Sequence, residues 1–227
     1  MGENRGERIV VSDVFREATT VYRRTIPTGW LLALALLVPT GVVSLALGSS
    51  SAWILSEVVF GVAIAWLVGS IAALVQAETE SPSDAQSVGA LLRKVWPRLL
   101  SLSLLTFASA IAIGFGLAVL VVPGVILCLM WIVAIPAMVV EERGVFDSLG
   151  RSFDLTRGNW RGILLIVLTF IVIELILPLP LYLASFDSAL SMAISIAFGV
   201  LVYPYLAMLS AVLYFRLKGE ESSVAVG

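Results

Sequence analysis

Histidine is absent from this 227-residue chain, and cysteine occurs only once, at position 128. Histidine is the commonest general base near neutral pH and a frequent ligand of transition metals. A single cysteine cannot form a disulfide within the chain. The sequence therefore excludes histidine-dependent catalysis, histidine-ligated metal centres and an internal disulfide.

Charged residues are also scarce. They make up 13% of the chain, whereas a typical soluble domain has about 25%. Apolar residues reach 59%, and the mean hydropathy is +1.03. An aqueous fold of this length could not cover so much apolar surface, so lipid is the expected solvent. The net charge of -2 argues against nucleic acid as a partner.

Lysine and arginine are missing from three long stretches, residues 25–92, 99–142 and 162–215. The 14 basic residues fall instead in short clusters before, between and after these stretches. Cytoplasmic loops of membrane proteins retain positive charge, and each stretch contains two hydrophobic runs. Two crossings return the chain to the same side. The pattern therefore predicts six membrane-spanning helices in a prokaryotic plasma membrane, with both termini in the cytoplasm.

The hydrophobic runs have lengths close to the roughly 20 residues that a helix needs to cross a bilayer. Short connections, including a turn at Pro123-Gly124, join them as three antiparallel hairpins. We expect an all-α integral membrane protein with a cytoplasmic N-terminal segment (1–28), a six-helix membrane domain (29–218) and a flexible cytoplasmic tail (219–227). The expected spans lie near residues 30–47, 52–77, 99–122, 125–140, 162–183 and 189–215.

Three segments on the cytoplasmic side have apolar and charged residues at helical spacing. They lie near residues 10–26, 83–95 and 144–157. Two-faced helices with basic residues are typical of the lipid headgroup boundary, so we expect amphipathic interfacial helices here. In the third segment, Asp147 and Arg151 form an expected i,i+4 pair. Its expected apolar side consists of Val145, Phe146, Leu149 and Phe153.

Basic residues in and beside these segments are the candidates for contact with anionic lipid or with a protein partner. Each basic side chain near an anionic leaflet contributes about 1 kcal/mol, and tryptophan anchors at headgroup level. For at least one of Arg151, Arg157 and Arg161 we favour the alternative, an internal ion pair with Glu141, Asp147 or Asp154. The candidates are Arg93, Lys94, Arg98, Arg151, Arg157, Trp160 and Arg161.

Glu174 lies about twelve residues into the fifth expected span. An acid at such depth is costly in lipid and suggests a functional site. Glu57, near the outer end of the second span, is its candidate companion in a proton or cation site. The alternative is that Glu174 lies close enough to the outer surface to be hydrated or hydrogen-bonded.

One local pattern resembles a known family. It combines Pro123-Gly124-Val125, Pro136 followed five residues later by Glu141, and Arg151-Ser152 leading to Trp160-Arg161. This resembles the membrane domain attached to some glycerophosphoryl diester phosphodiesterases, and its stand-alone bacterial and archaeal relatives. The resemblance implies a multi-span helical protein, generally without an assigned activity. The phosphodiesterase chemistry belongs to a separate soluble barrel with catalytic histidine, so we expect no such activity here.

The same region has a physical interpretation as an elbow at the membrane surface. Glu141 ends the fourth span, Gly144 permits a turn, and Gly158 ends the surface helix before the fifth span. Together these features predict a non-enzymatic membrane protein, without metal or cofactor, that organises lipids or a partner protein at the inner leaflet. The alternative is a permease or transporter component that uses the intramembrane acids.

Overall fold

The computed structural model describes residues 11–47, 53–80, 87–176 and 188–226, and all the regular secondary structure among them is helical. A 3-10 turn at Trp96–Arg98 joins the third helix to the fourth. The all-α prediction is confirmed. The helices are α1 (Val11–Leu47), α2 (Trp53–Glu80), α3 (Val88–Val95), α4 (Leu99–Val119), α5 (Val121–Trp131), α6 (Ala134–Val140), α7 (Val145–Thr156), α8 (Trp160–Ile176) and α9 (Ser188–Val226).

Several helical stretches are long and apolar enough to cross a membrane, as expected for a multi-pass membrane protein. The described residues contain five by length and composition, and α7 with α8 would supply a sixth if this pair, bent by 115°, counts as one span. Part of the expected fifth span lies outside the described residues, so the six-span topology stays a prediction. The five stretches are Val11–Ser44, Ile54–Glu80, Val88–Val119, Val121–Val140 and Ala193–Gly219.

The N-terminal amphipathic segment does not form a separate surface helix. Residues 11–26 are continuous with the first apolar run in the 37-residue helix α1. The physical reason is that α9 packs along this segment. The Tyr22 hydroxyl donates a hydrogen bond to the Leu201 carbonyl at 3.1 Å, and Arg216 pairs with Glu17 at 2.6 Å. The apolar face that we expected to meet lipid is therefore covered by protein.

The segment that we expected to form a flexible tail is helical as far as the structure describes it. Helix α9 continues to Val226, eight residues beyond Lys218. Glu221, on this extension, forms an ion pair with Arg151 on α7. This long-range ion pair connects the C-terminal extension of α9 to α7.

Helices α4 and α5 cross at close range. The turn between them falls at Leu120, whose backbone is extended, and not at Pro123-Gly124 as expected. Pro123 lies in the first turn of α5, where its missing N–H costs no helical hydrogen bond. A Cβ atom on Gly116 would lie 3.0 Å from the backbone of Gly124. The two glycines therefore permit close contact between helices.

Helix α2 lies at the centre of the bundle, in contact with α1, α3, α4, α6 and α9. Buried side chains concentrate in residues 69–75 of α2 and 206–214 of α9; Ile71, Leu74, Met208 and Leu213 are among the fully or nearly fully enclosed ones. We call the end of the bundle where α2 and α9 finish the charged end; it carries Glu17, Lys94, Glu141, Arg151 and Arg216. The densest packing thus adjoins the polar site described below.

Substitution of Gly124 by alanine should destabilise the α4–α5 crossing. The new Cβ atom would lie 2.6 Å from the backbone nitrogen of Leu117, so the helices must separate. Overpacking of this type costs about 1–3 kcal/mol. We expect a lower thermal unfolding temperature in detergent for Gly124→Ala. Gly114→Ala is the matched control, because nothing lies within 4 Å of its Cβ position. Equal unfolding temperatures for the two variants would contradict the close crossing.

Candidate functional site

A cluster of charged and hydrogen-bonding side chains surrounds Glu141 at the charged end. The Glu141 side chain is only 10% exposed. Arg151 donates from Nε to both carboxylate oxygens, at 3.1 and 3.0 Å, and Tyr214 donates its hydroxyl at 2.8 Å. Arg143 donates at 2.5 Å, and Lys218 Nζ lies 3.8 Å away. We call this group the Glu141 cluster.

Arg151 connects two carboxylates within the cluster. Its terminal nitrogens donate to both oxygens of Glu221, at 2.7 and 2.5 Å, while its Nε holds Glu141. Its side chain is only 15% exposed. Arg151 is therefore used inside the protein, which matches the internal ion-pair alternative. The expected pair with Asp147 is not among the ion pairs that the described residues form.

The partners of the two carboxylates lower their pKa values. Burial alone would raise the pKa of Glu141, but hydrogen bonds from Tyr214, Arg143 and Arg151 hold it below its ordinary value. The pKa of Glu221 is lowered chiefly by its hydrogen bonds from Arg151. Both carboxylates are therefore ionised at neutral pH, and the cluster links α6, α7 and α9 by charge-assisted bonds.

The chain turns sharply immediately after Glu141. Glu142 has a φ of 57°, in the left-handed region that residues other than glycine rarely adopt. Its carboxylate pairs with Arg98 at 3.1 Å, and Arg98 also donates to the Met138 carbonyl at 3.3 Å. The strained residue is therefore Glu142, whereas we expected Gly144 to permit the turn. Gly144 has an extended backbone and caps the start of α7.

The fourth apolar run is broken into α5 and α6. Pro136 has no N–H to donate to the carbonyl of Ile132, four residues earlier. The Ser210 hydroxyl on α9 donates to that carbonyl at 2.6 Å. The Ser152 hydroxyl on α7 donates to the Met130 carbonyl at 2.7 Å. Hydroxyl groups from two neighbouring helices therefore satisfy the backbone at this break, as a membrane interior requires.

Helix α7 packs against the bundle through small hydroxyl residues, which the sequence did not indicate. Ser148, Ser152 and Thr156 are almost fully buried, and each hydroxyl donates to a backbone carbonyl. Phe146, on the apolar side that we expected to face lipid, is 82% exposed. Small hydroxyl residues permit α7 to approach α5 and α6 closely, and they satisfy carbonyl groups there. The aromatic side chains are left on the outside.

Arg157, Trp160 and Arg161 lie together on the outer surface where α7 meets α8. All three side chains are exposed, and the Arg161 guanidinium lies 5.3 Å from the centre of the Trp160 ring. Among the described residues, neither arginine forms an ion pair. A Cβ atom on Gly158, in the turn between the helices, would meet nothing within 4 Å. A residue with a side chain would therefore fit at this position without a steric clash.

An apolar groove begins beside Arg157 and runs between α5 and α8. It has a volume of about 530 Å3, and Thr156, Arg157 and Trp160 lie at one end. Elsewhere its walls are aliphatic side chains of α5 and α8, together with Met130. Nothing in the sequence indicated this groove, because its walls come from helices that α6 and α7 separate along the chain.

The other basic candidates lie around α3. Arg93 and Lys94 are exposed, and Lys94 donates to Gln76 on α2 at 3.3 Å. Arg98 is 31% exposed and is engaged by Met138 and Glu142. The side chains of Arg93 and Lys94 are therefore exposed on the surface, whereas Arg98 contributes to the fold.

Glu57 lines a second cavity at the opposite end of the bundle. This cavity has a volume of about 230 Å3 and is formed by α1, α2 and α9. Hydroxyl groups of Thr40, Ser44, Ser195 and Tyr203 share its walls. No described residue of α8 lines it, and the side chain of Glu174 lies outside the described part of the chain. The proposed pairing of these two acids stays a prediction.

Comparison with protein families assigns this sequence to a family. A family model matches residues 45–217, a range that includes the broken fourth helix and most of the Glu141 cluster. The chain belongs to the uncharacterised protein family UPF0259. Comparisons with curated proteins and with solved structures give no match. Nothing links this UPF0259 chain to the membrane domain of glycerophosphoryl diester phosphodiesterases, so that resemblance stays a prediction.

Several residues of the UPF0259 chain enter the site without having been predicted, among them Tyr214, Ser210 and Glu221. Tyr214 and Ser210 lie on α9 within an apolar run, where nothing local distinguishes a buried donor from a lipid-facing one. Glu221 lies in the segment that we expected to be flexible. An acid spaced three residues after Lys218 was the only available signal, and the position of α7 was needed to interpret it.

Substitution of Glu141 by glutamine should destabilise the charged end. Arg151 and Tyr214 would lose their common anionic acceptor at a site where the Glu141 side chain is only 10% exposed. Removal of one partner from such a pair costs about 3 kcal/mol. The expected result is a fall in the unfolding temperature in detergent at pH 7. Glu142→Gln is the control, because Glu142 is 75% exposed and an exposed pair contributes about 1 kcal/mol or less.

The same variant has a defined pH dependence. The pKa of Glu141 is lower in the folded chain than its ordinary value of 4.5. Its stabilising contribution is therefore complete above that value and is lost as the pH falls through the folded-state pKa. The difference in unfolding temperature between the wild type and Glu141→Gln should shrink below about pH 4. A difference that stays constant from pH 7 to pH 3 would contradict the ionised cluster.

Proposed function

We propose that this UPF0259 protein is a non-enzymatic, multi-pass protein of the prokaryotic plasma membrane that binds anionic lipid headgroups. The binding surface is the junction of α7 and α8, formed by Arg157, Trp160 and Arg161. The charged end and both termini lie on the cytoplasmic side. No metal, cofactor or nucleic acid takes part in this proposal.

The observation that carries the proposal is the exposure of two arginines beside an exposed tryptophan. Trp160 is 52% exposed and adjoins the apolar helix α8. Tryptophan in such a position prefers the headgroup level of a bilayer. Arg157 and Arg161, at the same level, would meet lipid phosphates, which arginine binds through two parallel hydrogen bonds.

The difference between the paired Arg151 and the exposed Arg157 and Arg161 supports this proposal. Arg151 has two carboxylate partners within the bundle, so its charge is compensated there. Arg157 and Arg161 take part in none of the ion pairs that the described residues form. Exposed Phe146 and Phe153 extend the apolar surface of α7 beside them. Uncompensated positive charge next to exposed aromatic groups is the composition expected of a surface that adjoins anionic lipid.

The double substitution Arg157→Gln/Arg161→Gln should weaken the preference for anionic lipid. We expect the ratio of bound phosphatidylglycerol to phosphatidylcholine, measured by native mass spectrometry with equimolar added lipids, to fall about thirtyfold. This estimate follows from about 1 kcal/mol for each basic residue near the membrane surface. The unfolding temperature should stay unchanged, because neither arginine is part of the Glu141 cluster.

The matched control removes the same charge from α1. Arg16 and Arg23 are both exposed, and Arg16→Gln/Arg23→Gln leaves the α7–α8 junction intact. This control should retain most of the lipid preference. An unchanged preference in Arg157→Gln/Arg161→Gln, or an equal loss in both double variants, would overturn the proposed surface. Retention of a protein in place of lipid would point instead to a partner.

The cavity beside Glu57 supports the second candidate, a permease or transporter component. One carboxylate and several hydroxyl groups face a space of about 230 Å3 between α1, α2 and α9. Hydroxyl and carboxylate groups are suitable ligands for a small polar or cationic solute. This proposal requires that water reach the cavity from outside the lipid.

Cysteine labelling tests the permease proposal. In a Cys128→Ser background, Thr40→Cys places a thiol in the cavity wall, and Val42→Cys places one on a 60% exposed surface that does not line it. If the cavity is water-filled, a small charged thiol reagent should modify residue 40 of the membrane-embedded protein and leave residue 42 unmodified. No reaction at residue 40, or equal reaction at both, would contradict a solute path.

A further inference from the structure

The groove between α5 and α8 has the form of a site for a hydrocarbon chain. Its α5 wall runs from Val121 to Met130, a rise of about 14 Å at 1.5 Å per residue. The opposite wall includes Ile163 and Leu164 of α8. Its volume of about 530 Å3 lies within the range of small-molecule sites, about 300–1,000 Å3. The groove is therefore narrow, elongated and apolar.

The walls restrict the chemistry of the occupant. Along its length the groove offers apolar side chains and almost no hydrogen-bonding groups, so a polar solute would lose its hydration without compensation. An alkyl chain has no hydrogen bonds with water to lose, and it gains van der Waals contact with the apolar walls. Val121 and Val122 are 66% and 68% exposed at the far end, so the groove opens onto the outer surface of the bundle. A chain could therefore enter from surrounding lipid.

The residues at the polar end of the groove determine which lipid headgroup would fit there. Arg157 lies at this end with Trp160, and Arg161 is stacked on the tryptophan. No carboxylate is among the described residues that line the groove, so an anionic group here meets positive charge without a competing acid from them. Arginine presents a planar fork of donors that matches a phosphate group. The charge complementarity therefore favours a lipid with a phosphate at the end of its alkyl chain.

We propose that the groove binds one anionic phospholipid, with one acyl chain along α5 and α8 and the phosphate on Arg157. The inference rests on the proposed headgroup-binding function and adds a defined site to it. Attraction of the surface to anionic lipid needs only exposed charge. A bound lipid at fixed stoichiometry also needs the apolar groove. The two proposals can therefore fail separately.

The test is to fill the groove without changing the charge. Ile126 lines the groove on α5 and is 41% exposed. Ile126→Trp should lower the occupancy of retained phosphatidylglycerol, measured by native mass spectrometry after mild detergent extraction, from about one molecule per chain to less than a tenth. Ile111→Trp is the control. Ile111 is 72% exposed on α4 and does not line the groove, so this variant should retain lipid as the wild type does.

A second variant and a stability measurement keep the result interpretable. Val122→Phe narrows the open end of the groove at a 68% exposed position, where folding is little affected. It should lower lipid occupancy with an unchanged unfolding temperature. If both groove variants retain lipid as Ile111→Trp does, the groove is not the site, even if Arg157→Gln/Arg161→Gln abolishes the lipid preference. Retention of detergent only, or a dimer that buries the groove, would also overturn the proposal.

Discussion

The neutralisation of one carboxylate, that of Glu141, governs the arrangement of the charged end. A nearly enclosed carboxylate is costly unless cations and hydrogen bonds compensate it. Arg151 and Tyr214 provide that compensation from α7 and α9, and Arg143 provides it from the adjoining turn. Because each partner comes from a different part of the chain, satisfying this charge brings α6, α7 and α9 together.

A second constraint, the broken backbone at Pro136, acts on the same helices. In a lipid environment an unpaired carbonyl has no water to bind, so protein hydroxyl groups must replace the missing donor. Ser210 and Ser152 do so from α9 and α7. The break and the Glu141 cluster therefore depend on the same two neighbours. This shared dependence explains why α7 buries its serines and leaves Phe146 outside.

These two constraints also account for the division of the basic residues. Arg151 and Arg98 are held by acids or carbonyl groups and contribute to the fold. Arg157 and Arg161 come after the buried part of α7, where the chain turns by 115° into α8. At that junction the protein presents positive charge beside an apolar groove. This combination of exposed arginines and an apolar groove lies outside the Glu141 cluster, and both lipid proposals rest on it.

The sequence by itself determined the helical class, the apolar runs and the distribution of positive charge, because hydropathy and charge are local properties of residues. It also indicated an acid–arginine pairing near Glu141. The tertiary structure decided the partners. Arg151 forms an ion pair with Glu221 and not with Asp147, and the C-terminal segment is helical to Val226. Gly116 and Gly124 lie where α4 and α5 come into close contact. These outcomes depend on which helices are neighbours. In a chain that is apolar almost throughout, periodicity cannot distinguish a face toward protein from a face toward lipid, so only the packed structure assigns them.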